Sequence, residues 1–349
     1  MKPPPVLFRR AVVDPLWLPA AAVFSVLLLL VAAVSGLVWP LTRRRRVLRL
    51  AVFGAVYLFA DSCLVAAAAI LWLRWPVAAW RDEEQWKGTH ARLLRWALSL
   101  ILASARPLFG FRVELEEPPD AGWLRDRPLL VVARHGGPGD SFALIELLLA
   151  RYHRRPRIVL KETLQWDPGL DILLSRLRSC FLPSRSGAGD DLAGRLAEVA
   201  RGLNGNDAML IFPEGGNWTP RRYRRAVTRL LRGGHRAAAA DADRNPHVLP
   251  PRPAGVLACL AARPDLDVMV VAHTGLDELV SPVQIWRAIP LNGRPMTVRW
   301  WREQAAALPV SEGERLQWLH VQWTIIDSWI DARKTPACGE KCDEVSGNV

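Results

Sequence analysis

His135 and Asp140 are the two side chains whose types and spacing best suit proton transfer. They lie in the stretch 131–140, Val-Val-Ala-Arg-His-Gly-Gly-Pro-Gly-Asp. A carboxylate that accepts a bond from one imidazole nitrogen fixes the tautomer and makes the other nitrogen a better base. On a helix a spacing of five would put the two on different faces. Gly136, Gly137, Pro138 and Gly139 forbid a continuing helix or strand and let a tight turn fold them together. Taken alone, His-x4-Asp arises often by chance, and a half-buried histidine beside a helix N-cap is the more common meaning.

A second constellation changes that weighting. An apolar strand over 208–212 leads directly into Pro213-Glu214-Gly215-Gly216-Asn217-Trp218-Thr219-Pro220. A carboxylate, two glycines and polar side chains at a strand end make a binding loop. Glycines let backbone amides approach a ligand, and Glu214 can accept a bond from a substrate hydroxyl. The bland alternative is an ordinary strand-to-helix turn with a surface glutamate.

The elements that must position these groups follow from hydrophobic patterning. The apolar run ending at Ala133 reads as a buried strand, and 141–152 reads as an apolar helix that Asp140 can cap. Strands are expected at 111–115, 129–133, 157–160, 208–212, 254–258, 267–272 and 296–301. Helices are expected at 141–152, 170–177, 191–203, within 220–233, and at 311–332. This alternation predicts an α/β fold, a central sheet flanked by helices. No internal repeat interrupts it.

Upstream, 16–38 is almost wholly apolar, as is 47–73 apart from Arg49, Asp61 and a few small polar residues. Each run reaches the ~20 residues that span a bilayer as a helix. The pair is too long for a cleaved leader and predicts an N-terminal membrane helical hairpin that stays attached. Arg43 to Arg46 between the runs belongs on the cytoplasmic side. Arg74, Arg81, Lys87, Arg92 and Arg95 pull the downstream side the same way, which a hairpin dipping into one leaflet satisfies. Asp61 at mid-bilayer would cost ~2.5–3.5 kcal/mol, so it needs a shallow position, a polar partner or a proton. The expected organisation is a hairpin over 1–80, a catalytic domain over 81–335 and a polar tail over 336–349.

Composition narrows the partners. The 349 residues carry 46 Lys+Arg against 34 Asp+Glu, and only five of the cations are lysine. A basic surplus suggests anionic partners, and sixteen tryptophans favour a lipid interface over nucleic acid. No recognition motif for nucleic acid accompanies the arginines. The five cysteines give neither a disulfide framework nor zinc spacing, and the histidines lack metal-ligand spacing.

Together, His-x4-Asp and the later Phe212-Pro-Glu-Gly215 resemble the glycerophospholipid acyltransferase family, enzymes that acylate glycerol phosphate and lysophosphatidic acid. The resemblance covers roughly residues 110–332. It takes in Lys161-Glu-Thr-Leu-Gln-Trp-Asp-Pro168, Phe181-Leu-Pro-Ser-Arg185, and His247-Val-Leu-Pro-Pro-Arg252-Pro-Ala-Gly255. The last block, with Leu308-Pro309, Trp318-Leu319 and Asp327, is similar to the lysocardiolipin and lysophosphatidylinositol acyltransferase branch. The chain departs from the family pattern at Arg134, where Asn is usual, at Gly216, where Thr is usual, and at Asn217, where many members have Arg.

The resemblance implies a membrane-bound acyltransferase. Its donor would be acyl-CoA or acyl carrier protein thioester, a substrate and not a cofactor, and no metal is expected. Its acceptor would be a lysophospholipid, by default 1-acyl-sn-glycerol-3-phosphate, or a bulkier one such as lysophosphatidylinositol. His135 would act as general base, oriented by Asp140. Amides of Gly136, Gly137 and Gly139 are candidates for the oxyanion. Lys161 and Arg185 would hold the acceptor phosphate, Glu214 and Gly215 would contact glycerol, and Arg252 would meet phosphate or form a structural salt bridge. Arg221, Arg222, Arg224 and Arg225 would clamp headgroups or face the membrane. The site would lie at the cytoplasmic face of the lipid bilayer. Two other classes remain: a thioester hydrolase using the same pair on water, and a membrane-tethered binding protein.

Overall fold

The structure is a computed structural model, and it describes residues 2–42, 45–74, 83–116, 127–137, 139–183, 191–277, 279, 281–291 and 295–334. A helical lead-in over Val6–Phe8 and Arg9–Val13 runs into α1 (Asp14–Thr42), followed by α2 (Arg46–Leu73) and α3 (Glu83–Phe109). The chain then alternates through β1 (Val113–Glu116), β2 (Leu129–Ala133), α4 (Asp140–Glu146) and β3 (Arg155–Lys161). Next come α5 (Pro168–Arg176), β4 (Cys180–Leu182), α6 (Leu192–Arg201), β5 (Asp207–Ile211), α7 (Pro220–Arg232) and α8 (Arg236–Arg244). The last elements are α9 (Pro253–Ala262), β6 (Asp267–Thr274), α10 (Pro282–Ala288), β7 (Met296–Glu303) and α11 (Glu312–Lys334).

The seven strands form one sheet in the order β1-β7-β6-β2-β5-β3-β4. β2 through β6 run parallel, β7 is antiparallel to β6, and β1 is parallel to β7. Every residue of β2 and β5 is buried, as parallel strands covered on both faces require. Leu129, Val131, Ala208, Leu210 and Met269 point to one face and pack with α2, α3, α4 and α5. Leu130, Val132, Met209, Ile211 and Val268 point to the other and pack with α6, α9 and α11. The fold is thus α/β, a central sheet flanked by helices. Because β2, β3, β5 and β6 share a direction, the segments after them emerge along one sheet edge, where ligands of open α/β sheets bind.

The strand expected at 254–258 is instead part of α9. Pro253 occupies the first helical turn, and the buried residues Val256, Cys259 and Leu260 recur at helical spacing. An alanine-rich apolar run of that length fits either reading until its partners are known. The seventh strand is β4, three residues long, paired with β3 through Cys180 and Val159. The tail over 336–349 lies outside the described residues.

By length and composition, Val6–Leu41 and Arg46–Leu73 are each able to cross a membrane. α1 exposes Leu16, Phe24, Leu30 and Leu37. α2 is seated on the sheet domain: Ala60, Leu64 and Val65 share the core that holds Leu129 and Leu144. Asp61 has the polar partner that its position demands. It is buried, and its Oδ1 accepts the Gly169 N–H at 3.0 Å, at the start of α5. A Cβ on Gly169 would stand 2.0 Å from that oxygen, so glycine is what lets α2 approach. Tyr57 donates its hydroxyl to Asp167, which also accepts the Leu170 N–H as the N-cap of α5. Arg9 donates to Asp171 at 3.0 Å, both buried. The hairpin therefore grips the helix that follows β3.

Candidate active site

β2 ends at Ala133 and delivers Arg134 and His135 to the sheet edge. The chain turns through Gly139, whose φ of 89° is left-handed, and enters α4 at Asp140. The turn folds the pair together: His135 Nδ1 lies 2.9 Å from Asp140 Oδ2. Asp140 is fully buried, whereas the His135 side chain is 20% exposed. Burial pushes the Asp140 carboxyl up, but the His135 hydrogen bond, His273 and the Gly137 amide outweigh it and hold it below its ordinary value. An ionised Asp140 makes His135 Nδ1 the donor. Nε2 then carries the lone pair, and no described residue bonds to it.

The glycine amides are otherwise employed than the sequence suggests. Gly136 and Gly137 donate to Asp140 Oδ2 at 2.9 and 3.2 Å. They complete the carboxylate's shell and are not available to an oxyanion in this arrangement. Ser141, in the first turn of α4, donates its N–H and hydroxyl to Asp140 Oδ1.

The turn after β5 locks onto the histidine. Glu214 Oε2 accepts the His135 main-chain N–H at 3.3 Å, and the Trp218 N–H donates to the His135 carbonyl at 2.7 Å. Glu214 is buried, and burial raises its pKa to about 8 against the opposing pull of Arg134. The structure thus places the Glu214 side chain behind His135, while Gly215 is exposed beside it with a φ of 69°.

Three cations converge on the open side of that turn. A Cβ on Gly215 would stand 3.1 Å from the Arg252 guanidinium; one on Gly216 would stand 3.0 Å from Arg222 and 3.8 Å from Lys161 Nζ. Partial burial, then Arg222 and Arg252, lower the pKa of Lys161. Among the described residues no carboxylate pairs with Lys161, Arg222 or Arg252. Arg222 donates to the Asn217 carbonyl at 3.0 Å. Exposed cations around a glycine turn, with no carboxylate partner among the described residues, favour a bound anion. Arg185 lies outside the described residues.

Arg134, where the family pattern has Asn, is fully buried. It pairs with Asp277 and donates to the carbonyls of His273 and His247 at 2.7 and 3.1 Å. Burial raises the Asp277 pKa, but Arg134 overcomes this and leaves it well below the usual range. His273 Nε2 donates to the Arg134 carbonyl at 3.0 Å and stands 3.6 Å from Asp140. Asp327 on α11 accepts the His247 N–H at 2.6 Å, fixing the block that carries Arg252. In the sequence Arg134 stands out only as a departure, and His273 and Asp277 do not stand out at all. The only signal was their position at the end of a parallel strand.

Residues 112–250 match the family model described as Acyltransferase. That span holds His135, Asp140, Lys161, Glu214 and Gly215. No curated protein matches the chain. The solved structure of the 1-acyl-sn-glycerophosphate (LPA) acyltransferase, PlsC, from Thermotoga maritima is similar in fold. Identity is 14%, the TM-score is 0.51, and the likeness covers 90% of this chain and 99% of that one.

Proposed function

We propose that this protein is a membrane-associated O-acyltransferase, moving a fatty acyl group from a thioester to the free hydroxyl of a lysophospholipid. One observation carries the reading. Among the described residues, a histidine with Nδ1 on a buried carboxylate and Nε2 unshared stands across one turn from three cations that no carboxylate pairs with. The first is a general base; the second is a cradle for a phosphate.

In the reaction, His135 Nε2 takes the proton of the acceptor hydroxyl as its oxygen attacks the thioester carbonyl. Asp140 stabilises the imidazolium that forms. The tetrahedral adduct collapses, the carbon–sulfur bond breaks, and the departing thiolate takes the proton from His135. Ester and free thiol result, with no covalent enzyme intermediate. A positioned base of this kind is worth ~10²–10⁴ in rate. Lys161, Arg222 and Arg252 hold the acceptor phosphate, with Gly215 letting the glycerol approach the backbone. Arg185, in the block whose family counterpart binds phosphate, is assigned the same task.

The acceptor is 1-acyl-sn-glycerol-3-phosphate, the substrate class named for the PlsC structure. The donor is acyl-CoA or acyl carrier protein thioester. The hairpin keeps the site at the bilayer surface on the cytoplasmic side, a reading that the arginines flanking α2 support. Purified protein in lipid nanodiscs given labelled acyl-CoA and lysophosphatidic acid should form labelled phosphatidic acid. Release of free fatty acid without transfer would make it a hydrolase.

A further inference from the structure

The segment after the site turn carries a second, outward-facing feature. α7 holds six arginines and no carboxylate, and none of its residues is buried. At ~100° per residue the arginines occupy one arc of about 160°. Arg224, Arg221, Arg232, Arg225, Arg229 and Arg222 follow one another around it, and Tyr223, Ala226, Val227, Leu230 and Leu231 fill the other side. The apolar side leans on α8, where the Tyr223 hydroxyl donates to the Ala242 carbonyl at 3.0 Å. Arg222, at one border of the arc, turns in to the site. Among the described residues, none of the others pairs with a carboxylate. Self-repelling guanidinium groups in a row, left uncompensated, fit a surface of opposite charge.

We infer that Arg221, Arg225, Arg229 and Arg232 dock the protein on an anionic leaflet, so that turnover depends on the charge of the bilayer that supplies the acceptor. The inference rests on the membrane-associated reading above. Topology favours a bilayer over a soluble acidic partner. α7 starts from the same sheet edge as the 162–167 segment, and that segment leads to the start of α5, where Tyr57 and Asp61 of the apolar hairpin are seated. The arginine row and the exposed apolar helices therefore flank one edge of the sheet. Leu231, 55% exposed at the other border of the arc, is placed to enter the interface beside the row.

The test uses the full chain in nanodiscs of phosphatidylcholine alone or enriched in phosphatidylglycerol, with amide exchange followed over 220–232. Anionic discs should protect these amides, high salt should remove the protection, and the variant R221Q/R225Q/R229Q/R232Q should lose it. Each arginine near a charged leaflet is worth about fivefold in binding. The variant should keep its acyl transfer to a short-chain acceptor in neutral micelles. Equal protection in both discs would overturn the inference. So would protection in neutral discs that appears only with acidic acyl carrier protein. Because exchange does not depend on turnover, protection that persists in a protein without transferase activity would refute the catalytic reading and leave the docking surface standing.

Discussion

Glu214 and His135 sit at the ends of two neighbouring strands, and the carboxylate of one accepts the main-chain N–H of the other at 3.3 Å. The Trp218 N–H closes the second side of His135 at its carbonyl. Thus the turn that presents the cations also sets the backbone of His135. The distance between His135 and the three cations is fixed by hydrogen bonds between two loops, not by either loop alone.

A buried Glu214 with a pKa of about 8, against an ordinary 4.5, holds a proton that the unfolded chain releases. Between these values the folded state binds more protons, so stability falls as pH rises through that window. Glu214→Gln, neutral throughout, should flatten the slope. Denaturation midpoints across the window check this; a slope unchanged by the substitution would contradict it.

The buried Arg134–Asp277 pair predicts strong coupling. Asp277→Ala strands a guanidinium in the interior and should cost about 3–5 kcal/mol. Arg134→Met with Asp277→Leu removes both charges and should recover much of that loss. A double-mutant cycle by thermal denaturation measures it, and additive single losses would show that the two do not act together.

Replacing Lys161, Arg222 or Arg252 with methionine should each lower kcat/KM for a phosphate-bearing acceptor roughly ten- to hundredfold, the range of a lost charge-assisted bond. The effect should fall mainly on acceptor KM. A rise in donor KM instead would assign the cluster to the phosphates of coenzyme A.

Asp61→Ala leaves the Gly169 N–H without its acceptor in a buried seat and should destabilise the protein by about 1–3 kcal/mol. Gly169→Ala should be at least as harmful, because its Cβ would collide with the Asp61 carboxylate. Unfolding in detergent micelles tests both; variants as stable as the parent would mean that the hairpin does not need this contact.

Much of this was legible in the sequence because it is local. The apolar run before Arg134, the glycines after His135 and the Phe-Pro-Glu-Gly turn each announce a strand end. Asp61 announced that it needed a partner, but not that the partner is an amide more than a hundred residues away. The three-residue β4 is held by pairing with β3 and carries no periodicity of its own. The run 254–258 within α9 reads as a strand because a short apolar run does not reveal whether its neighbours are helices or strands. Long-range convergence was the hardest to see. Arg222 and Arg252 meet only because the 213–218 turn is bonded to His135 and, through the Pro213 carbonyl, to the Arg252 N–H. The buried Glu214 looked like a surface ligand group for the same reason.

The most direct test of the central claim is acyl transfer by wild type, His135→Ala and Asp140→Asn in nanodiscs, with labelled acyl-CoA and lysophosphatidic acid, folding being checked in each. Labelled phosphatidic acid should form with the wild type, fall by ~10²–10⁴ without the histidine, and fall substantially with Asp140→Asn. Equal transfer by wild type and folded His135→Ala would contradict the account.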